Sequence, residues 1–352
     1  MDERLGRLMT LPRVALAHTP TPLEAMPNLS AHVAGSELFV KRDDCTGLAM
    51  GGNKVRQLEF YLGQARAEQA DTVLITGAVQ SNFVRLAAAA ACKMGMACHI
   101  QLEERVPETD AVYRNSGNVL LDRILGATVH HYPEGEDESG ADRRIQEIAA
   151  DLKRQGRRPY VIPLAPGHPP LGALGYVLSA QELLTQINHQ RVDFDHVVVA
   201  SGSGYTHAGL LFGLKALDHP ASVTGVCVRR DAAAQRARIG HHCEGIAELL
   251  GLASPVGDLD ITLDDDFLSP GYGRTNQATL EAMELAARLE GLIVDPTYTA
   301  KAMAGLIHHA HRQKAGSRTL FIHTGGQPGV FGSEPKLTEY FAQHPASDQP
   351  PH

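Results

Sequence analysis

Short β-branched segments alternate along this chain with longer segments of helical pattern, and this alternation constrains the fold more than any other feature. Eight segments have the length and composition of strands: 38–41, 72–75, 98–102, 128–131, 160–162, 196–200, 223–228 and 319–322. Apolar residues at spacings of three and four predict helices in most of the gaps, at 55–67, 82–94, 113–125, 141–154, 174–187, 205–217, 232–250, 277–289 and 300–313. Strands and helices in this order form βαβ units. The sequence therefore predicts an α/β protein with mostly parallel, buried sheets.

Composition narrows the class of protein and its partners. The 352 residues are 43% hydrophobic and 20% charged, which is typical of a globular chain with room for one large or two ordinary domains. The formal net charge of −8 argues against the basic surface that nucleic-acid binders use. We therefore expect a small-molecule partner and no nucleic acid.

Cysteine usage and the N-terminal sequence indicate the compartment. The five cysteines are odd in number and scattered, which predicts free thiols in a reducing compartment: Cys45, Cys92, Cys98, Cys227 and Cys243. The first residues carry acids where a signal peptide is basic, and no apolar run approaches the about 18–20 residues that span a bilayer. We expect a cytoplasmic protein that does not enter the membrane.

Histidines raise the question of a metal site. Among the 18 histidines, His308 and His311 could share one helix face and bind a metal ion. Such clusters are more often a solvated face, so the prediction is that no metal is bound.

Three segments carry residues suited to chemistry. In the first, Gly51 and Gly52 precede Lys54 at the start of a helical pattern. Glycines let the backbone turn tightly, so the lysine could be directed into a cleft, although an ordinary exposed lysine would fit equally well.

The other two segments each follow a strand and begin a helix. Ser81 and Asn82 stand at the first helix N-terminus, where free N–H groups can bind a carboxylate or where serine acts as a plain N-cap. The loop 202–206 stands at the second and has the glycines and serine of a phosphate cradle, or of a tight turn. Neither a GxGxxG fingerprint nor a P-loop lysine is present, so no nucleotide is indicated. A lysine, a carboxylate site and a phosphate site together describe a pyridoxal phosphate enzyme.

The chain resembles a known family from about residue 19 to residue 332. The matching blocks, in order, are KRDDCTG with GGNK, QSN with Arg85, GALGY, SGS with THAG, PGYG, LEG, DPTYTAKAMAGL and HTGG. They are similar to those of the fold type II pyridoxal phosphate enzymes of the 1-aminocyclopropane-1-carboxylate deaminase and D-cysteine desulfhydrase family, which includes L-cysteate sulfo-lyase.

The resemblance implies a role for each matching residue. Lys54 would form the Schiff base with pyridoxal 5'-phosphate and move the Cα proton, Ser81 would hold the substrate carboxylate, and Tyr272 and Tyr298 would face the substrate. The expected cofactor-binding residues are Lys54, Asn53, Asn82, Gly202, Ser203, Gly204, Tyr205, Thr206, Thr299 and Thr324. The expected substrate-binding residues are Ser81, Asn82, Phe83, Tyr272 and Tyr298.

The residue after the second tyrosine bears on the reaction. Ring-opening deaminases of the family carry a glutamate there, which keeps the pyridine nitrogen protonated, whereas this chain has Thr299. A hydroxyl at Thr299 or Thr324 cannot supply that charge, so the sequence favours β-elimination of the D-cysteine desulfhydrase kind, giving pyruvate, ammonia and sulfide. L-Cysteate sulfo-lyase, which releases sulfite, stays an alternative, and a cyclopropane deaminase or an idle cofactor-binding homologue is less favoured.

Three departures from the family pattern lie near the inferred site. Phe83 replaces a frequent His or Gln, Tyr205 replaces a glycine, and the segment 164–168 replaces a glycine-rich run. We expect Phe83 and Tyr205 to narrow the pocket and His168 to add a cation for an acidic substrate group, so that the preferred substrate differs from plain D-cysteine.

The family also implies an architecture. It predicts two parallel-sheet α/β domains with the cofactor in the cleft between them: a large domain of residues 1–50 and 161–340, and a small inserted domain of residues 51–160. Residues 341–352 are expected to be a disordered tail, and the protein a homodimer with a small amino-acid substrate.

Overall fold

The computed structural model describes residues 3–33, 35–107, 109–164 and 167–345. Within these residues, strands form two separate sheets. The first has the order β1-β2-β10-β7-β8-β9 and the second the order β5-β4-β3-β6. β1 pairs with β2 antiparallel, and the other paired strands of both sheets are parallel. The α/β class with parallel sheets is confirmed.

The strands have these bounds: β1 Leu23–Ala25, β2 Glu37–Lys41, β3 Thr72–Ala78, β4 Ala97–Glu103, β5 Thr128–Tyr132, β6 Pro159–Ile162, β7 His196–Ser201, β8 Ser222–Cys227, β9 Thr262–Asp264 and β10 Arg318–Ile322. The α-helices are α1 Pro27–Val33, α2 Lys54–Ala67, α3 Asn82–Lys93, α4 Ala111–Asn115, α5 Gly117–Ile124, α6 Glu138–Arg154, α7 Leu174–Gln190, α8 Tyr205–Ala216, α9 Ala232–Leu250, α10 Gln277–Glu290, α11 Thr299–Ala310, α12 Pro328–Gly332 and α13 Glu334–Gln343. Short 3₁₀ segments lie at Glu3–Thr10, Asp43–Cys45, Leu48–Met50, Leu171–Ala173 and Asp258–Asp260.

Helices cover both faces of each sheet. In β7, Val197 packs in the core shared with α7, α8 and α9, whereas its neighbour Val198 packs on the opposite face against α10 and α11. In β3, Val73 packs with α2 and α3 while Leu74 packs with α6. Successive strand side chains point to opposite faces, so a strand covered on both sides is apolar at most positions. This is why short apolar runs without alternation predict buried parallel strands.

The eight predicted strands are confirmed to within a few residues, and the structure adds two strands, β1 and β9. Each has three residues, too few for a periodic pattern to be visible. The helix expected at 113–125 is wrong as a single element. It divides at Ser116 into α4 and α5, because Gly117 has a φ of +58° and its Cα lies against Gln80 and the carbonyl of Pro328.

The C-terminal segment begins as a helix. α13 continues to Gln343, so the expectation of disorder from residue 341 is wrong at its start, because Leu337 and Tyr340 are buried and hold this helix against the core. Residues 346–352 lie outside the described part of the chain.

Three further features of the structure concern the cysteines, long apolar helices and groups of side chains that could bind a metal ion. The five cysteines are free thiols. The described residues include no helix that is long and apolar enough to cross a membrane. Over the same residues, no cluster of three or more His, Cys, Asp or Glu side chains is placed to hold a metal ion; His309 instead pairs with Asp264 at 2.8 Å and His308 packs against Phe267.

Candidate active site

One cavity lies between the two sheets, where β3 and β7 end. In open parallel sheets the carboxyl ends of the strands are where loops form binding crevices. Twelve of the fourteen residues expected in the site line this cavity: Asn53, Lys54, Ser81, Asn82, Phe83, Gly202, Ser203, Gly204, Thr206, Tyr272, Tyr298 and Thr324. The other two, Tyr205 and Thr299, lie behind its wall.

The turn before Lys54 depends on two glycines. Gly51 has a φ of +66° and a Cβ there would lie 2.0 Å from the carbonyl oxygen of Asp44. Gly52 has a φ of +121° and lies against the Thr324 carbonyl, which accepts a 3.0 Å hydrogen bond from the Asn53 backbone N–H. Only glycine fits both the left-handed conformation and the close approach. The turn therefore places Lys54 at the first position of α2, facing the cavity.

The Lys54 side chain is partly buried in the cavity wall. Burial lowers its pKa to about 8, since desolvation disfavours the charged form. Its Nζ lies 3.3 Å from Gln57 Oε1 and 5.0 Å from the centroid of the Phe83 ring. An amine in such a place is partly neutral near neutral pH and can act as a nucleophile or a base.

The N-terminus of α3 forms one wall. Ser81 is its N-cap and its Oγ accepts a 3.3 Å hydrogen bond from the Val84 N–H. Asn82 follows, and its Oδ1 accepts from Arg85 Nη2 at 3.3 Å and from Asn118 Nδ2 at 3.0 Å. With that oxygen occupied, the Asn82 side chain has its Nδ2 donor left for a ligand in the cavity.

The loop before α8 forms the opposite wall. Gly204 has a φ of +94° and a Cβ there would lie 2.9 Å from the His242 ring. Thr206 Oγ1 accepts hydrogen bonds from Asn53 Nδ2 at 2.8 Å and from Gln57 Nε2 at 2.9 Å. Both of its lone pairs are thus used, so its own proton is free to be donated to an anion at this helix N-terminus.

Two tyrosines close the cavity on a third side. The hydroxyls of Tyr272 and Tyr298 are hydrogen-bonded to each other, and their rings meet edge to face with centroids 5.9 Å apart. Burial raises the pKa of both phenols, so both carry their protons at neutral pH. Each can donate a proton within the cavity, and the shared hydrogen bond can return one.

The two threonines expected near the pyridine nitrogen differ in position. Thr324 lines the cavity. Thr299 is fully buried, and its hydroxyl donates to Asp295 Oδ1 at 2.7 Å and accepts from the Asp295 N–H at 2.6 Å. The expectation that Thr299 binds the cofactor is therefore wrong in this structure, because its hydroxyl already serves the turn that begins α11.

Of the three positions that depart from the family pattern, Tyr205 and the segment 164–168 do not have the expected effect on the pocket. The Tyr205 side chain packs in the core with its ring 4.6 Å from that of His242, so it does not narrow the pocket, and only its backbone N–H heads α8. His168 is paired with Asp142 at 3.3 Å and does not line the cavity, so it supplies no cation there. Leu164 lines the cavity, while residues 165 and 166 lie outside the described part of the chain. Phe83 lines the cavity, and its narrowing of the pocket stays a prediction.

The sequence did not reveal a group of arginines in the cavity wall. Arg229, Arg230 and Arg238 all bind the carboxylate of Glu138 at the start of α6. Arg105, which also lines the cavity, is clamped to Glu103 at 2.7 Å. The run Arg229-Arg230 was visible in the sequence, but the partner carboxylate lies about ninety residues away and no local pattern connects them.

The donor set fits pyridoxal phosphate. A hydroxyl donor and helix N–H groups suit the phosphate, the Asn82 amide suits the ring oxygen, and Lys54 supplies the amine that an aldehyde needs. The fold and this cavity thus define an α/β protein with a site that suits a phosphorylated aldehyde between two helix N-termini.

Comparison with known proteins agrees with this class. The family model described as "Pyridoxal-phosphate dependent enzyme" matches residues 14–325. The chain is 44% identical to a D-cysteine desulfhydrase of Klebsiella pneumoniae and 43% identical to one of Salmonella typhi, each over 95% of this chain and 99% of the relative. A crystal structure of an ACC deaminase homologue superposes with a TM-score of 0.86 at 37% identity, covering 96% of this chain and 99% of the other. A structure of O-ureido-L-serine synthase, with a TM-score of 0.67 at 17% identity and covering 95% of this chain and 96% of the other, shares the fold. The chain belongs to the pyridoxal-phosphate dependent enzymes, with fold type II architecture and pyridoxal phosphate as its cofactor.

Proposed function

We propose that this enzyme catalyses β-elimination from D-cysteine, converting D-cysteine and water into pyruvate, ammonia and hydrogen sulfide. One observation carries the proposal: a single cavity holds the Lys54 amine between a carboxylate-binding helix N-terminus and a pair of protonated tyrosines. The chain around it is 43–44% identical over 95% of its length to enzymes named for this reaction.

The α3 N-terminus binds the substrate carboxylate in this proposal. α3 has 12 residues and begins directly after Ser81, so its first N–H groups and the Ser81 hydroxyl point to one place. The partial positive charge of a helix N-terminus stabilises an anion there. This contact fixes the Cα of the substrate relative to Lys54.

Lys54 moves the Cα proton. When bound, pyridoxal phosphate supplies the electron sink that stabilises negative charge at Cα. The Lys54 pKa of about 8 lets Nζ accept this proton near neutral pH, because a base works best when its pKa is close to the operating pH.

The tyrosine pair delivers a proton to the departing sulfur. Tyr272 and Tyr298 are hydrogen-bonded to each other, so the proton given up by one hydroxyl can be replaced from the other. The pair is then one proton short, and solvent water supplies that proton after the sulfur has left. A thiolate leaves more easily when it is protonated as the carbon–sulfur bond breaks.

The surroundings of the ring nitrogen favour elimination over ring opening. Thr324 offers a hydroxyl, and Glu138 is the one carboxylate among the described residues that line the cavity, where it is bound by three arginines. No carboxylate in the described wall is thus free to hold a proton on the nitrogen. A weaker electron sink suits a substrate whose leaving group departs readily.

The test is a comparison of D-cysteine with L-cysteate on the purified enzyme, measuring pyruvate together with sulfide or sulfite. Pyruvate and sulfide from D-cysteine in equal amounts are expected. Sulfite from L-cysteate, with no sulfide from D-cysteine, would instead indicate a sulfo-lyase. Pyruvate from neither substrate by protein with bound cofactor would contradict the elimination itself.

We also propose the division into domains, the assembly and the compartment. The two sheets support a large domain of residues 1–50 and 161–340 and a small domain of residues 51–160, with β6 crossing the second boundary by two residues.

The exposed Ile293 and Phe331 line an apolar groove that suits a homodimer, and the free thiols suit the cytoplasm. Light scattering of the eluted protein tests the dimer.

A further inference from the structure

Two carbonyl groups of the loop before α8 accept hydrogen bonds from side chains of α9 and from Arg230, which lies just before α9. Gly202 O accepts hydrogen bonds from Arg230 Nη1 and Gln235 Nε2, each at 3.2 Å. Ser203 O accepts from Arg238 Nε at 3.1 Å and from His242 Nε2 at 3.0 Å. Positions 235, 238 and 242 are three and four residues apart, so they share one helix face.

Holding these carbonyls determines where the loop N–H groups point. In a planar trans peptide the C=O and the following N–H point in opposite directions. Because Gly202 O and Ser203 O are turned toward α9, the N–H groups of Ser203 and Gly204 are turned away from α9, toward the cavity that both residues line.

The same side chains give this wall its charge. Arg238 Nη1 binds Glu138 Oε2 at 3.2 Å, and Arg230 binds the other oxygen of that carboxylate together with Arg229. Arg229 also binds Glu136 at 3.2 Å, so three guanidinium groups face two carboxylates, and one net positive charge remains beside the loop. Consistent with this excess, burial and the neighbouring Arg238 lower the pKa of Arg230 to about 10.

We propose that Arg230, Gln235, Arg238 and His242 are positioning residues that build the phosphate-binding conformation of the loop, and that Glu138 holds the two arginines in place from the other sheet. Their ligand class is the phosphate monoester of the cofactor, which they reach through the loop. The proposal concerns the cofactor and holds whichever amino acid is the substrate.

The experiment separates the phosphate from the rest of the cofactor. Cofactor-free enzyme is titrated with pyridoxal phosphate and, separately, with pyridoxal, which has the same aldehyde and ring but no phosphate. In Arg238→Met, we expect the affinity for pyridoxal phosphate to fall about tenfold, which is about 1.4 kcal/mol, while the affinity for pyridoxal changes less than twofold.

A matched control and a second variant make the test decisive. Arg236 lies on the same helix but donates to the carbonyl of Asp258 at 2.8 Å, so Arg236→Met is expected to leave both affinities unchanged. Gln235→Met removes the donor to Gly202 with little change in side-chain length, and is expected to lower the affinity for pyridoxal phosphate alone. The proposal would be overturned if Arg238→Met or Gln235→Met folds and loses as much affinity for pyridoxal as for pyridoxal phosphate. It would also be overturned if either of these two variants keeps the wild-type ratio of the two affinities.

The wild-type protein offers a check that needs no substitution. Titration of the cofactor-free enzyme with inorganic phosphate is expected to shift the backbone amide resonances of Ser203 and Gly204. If phosphate binds while both resonances stay in place, the loop N–H groups do not face the anion and the proposal is wrong. Neither this check nor the affinity ratio depends on turnover of D-cysteine, so failure of the proposed reaction is a separate result.

Discussion

The two helix N-termini that face each other across the cavity have the same local topology but present different chemical groups to the cavity. Each follows a parallel strand, β3 before α3 and β7 before α8. At α3 the side chains of Ser81 and Asn82 face the cavity, and hydrogen bonds within the helices that pack on the small sheet orient them. At α8 mainly backbone atoms face the cavity, on a loop with glycines at positions 202 and 204.

The difference teaches how one motif serves two ligands. A phosphate has several equivalent oxygens, so a ring of backbone N–H groups is sufficient to bind it. An amino acid must be recognised by fewer and more specific contacts, and side chains supply them. We therefore expect substitutions in the loop at the α8 end to affect cofactor affinity, and substitution of Ser81 at the α3 end to affect substrate binding.

The largest effect is expected between the two ends, at Lys54. Lys54→Ala removes both the amine that holds the cofactor aldehyde and the base at Cα, so turnover should fall by about 10³-fold or more. The absorbance of the lysine-bound cofactor should also be lost. Turnover near the wild-type rate would show that the cavity does not catalyse through Lys54.

At the α8 end, Gly204→Ala tests the backbone cradle. The substitution forces a side chain into a φ of +94° and within 2.9 Å of His242, so we expect the affinity for pyridoxal phosphate to fall about tenfold or more, as a left-handed non-glycine residue costs about 1–2 kcal/mol. Gly291→Ala is the matched control, because Gly291 has a φ of +65° with open space around it. It should lower the melting temperature without changing cofactor affinity.

At the α3 end, Ser81→Ala tests the side-chain contact. We expect KM for the amino acid to rise about tenfold, while cofactor affinity stays within twofold, since one hydrogen bond to a charged group contributes about 1.5–3 kcal/mol. The control is Asn276→Ala, which removes the N-cap of α10 and should lower stability by about 1 kcal/mol with KM unchanged. A loss of cofactor affinity in Ser81→Ala would contradict the division of labour between the two ends.

The rate of cofactor capture should depend on pH through Lys54. Only the neutral amine attacks an aldehyde, and burial lowers the Lys54 pKa from 10.5 to about 8. The rate at which cofactor-free enzyme takes up pyridoxal phosphate should therefore rise about tenfold per pH unit up to about pH 8 and then level off. Stopped-flow absorbance measures this profile, and a rise that continued to pH 10 would show that the amine is not desolvated.

The smallest effect is expected from Phe83, which lies beside Lys54 on the α3 side. Phe83→His should change the relative turnover of small β-substituted amino acids by about fivefold, which is about 1 kcal/mol and the lower end of what one group in a pocket contributes to discrimination. Unchanged relative turnover would remove the support for Phe83 as a specificity residue. The cofactor affinity of this variant should match that of the wild type.

The site could be predicted from the sequence where its residues follow a strand or a glycine turn directly. Lys54, Ser81, Asn82 and the 202–206 loop were found in this way, and their placement in one cavity follows from the parallel topology. The sequence could not place Thr299 or Tyr205, because a hydroxyl or a phenol beside a motif turns toward whichever partner packing offers. Thr299 turned to Asp295 and Tyr205 to the core.

The sequence by itself determined the class of fold and the order of the strands and helices along the chain, since apolar period is a local property. Its glycine turns and its resemblance to a family also predicted twelve of the residues that line the cavity. Only the tertiary structure decided the order of strands in the two sheets, the pairing of Glu138 with three arginines, and the backing of the phosphate loop by α9. Those contacts join residues from about thirty to a hundred positions apart. Their geometry depends on how whole elements pack, and no periodic pattern within one element records it.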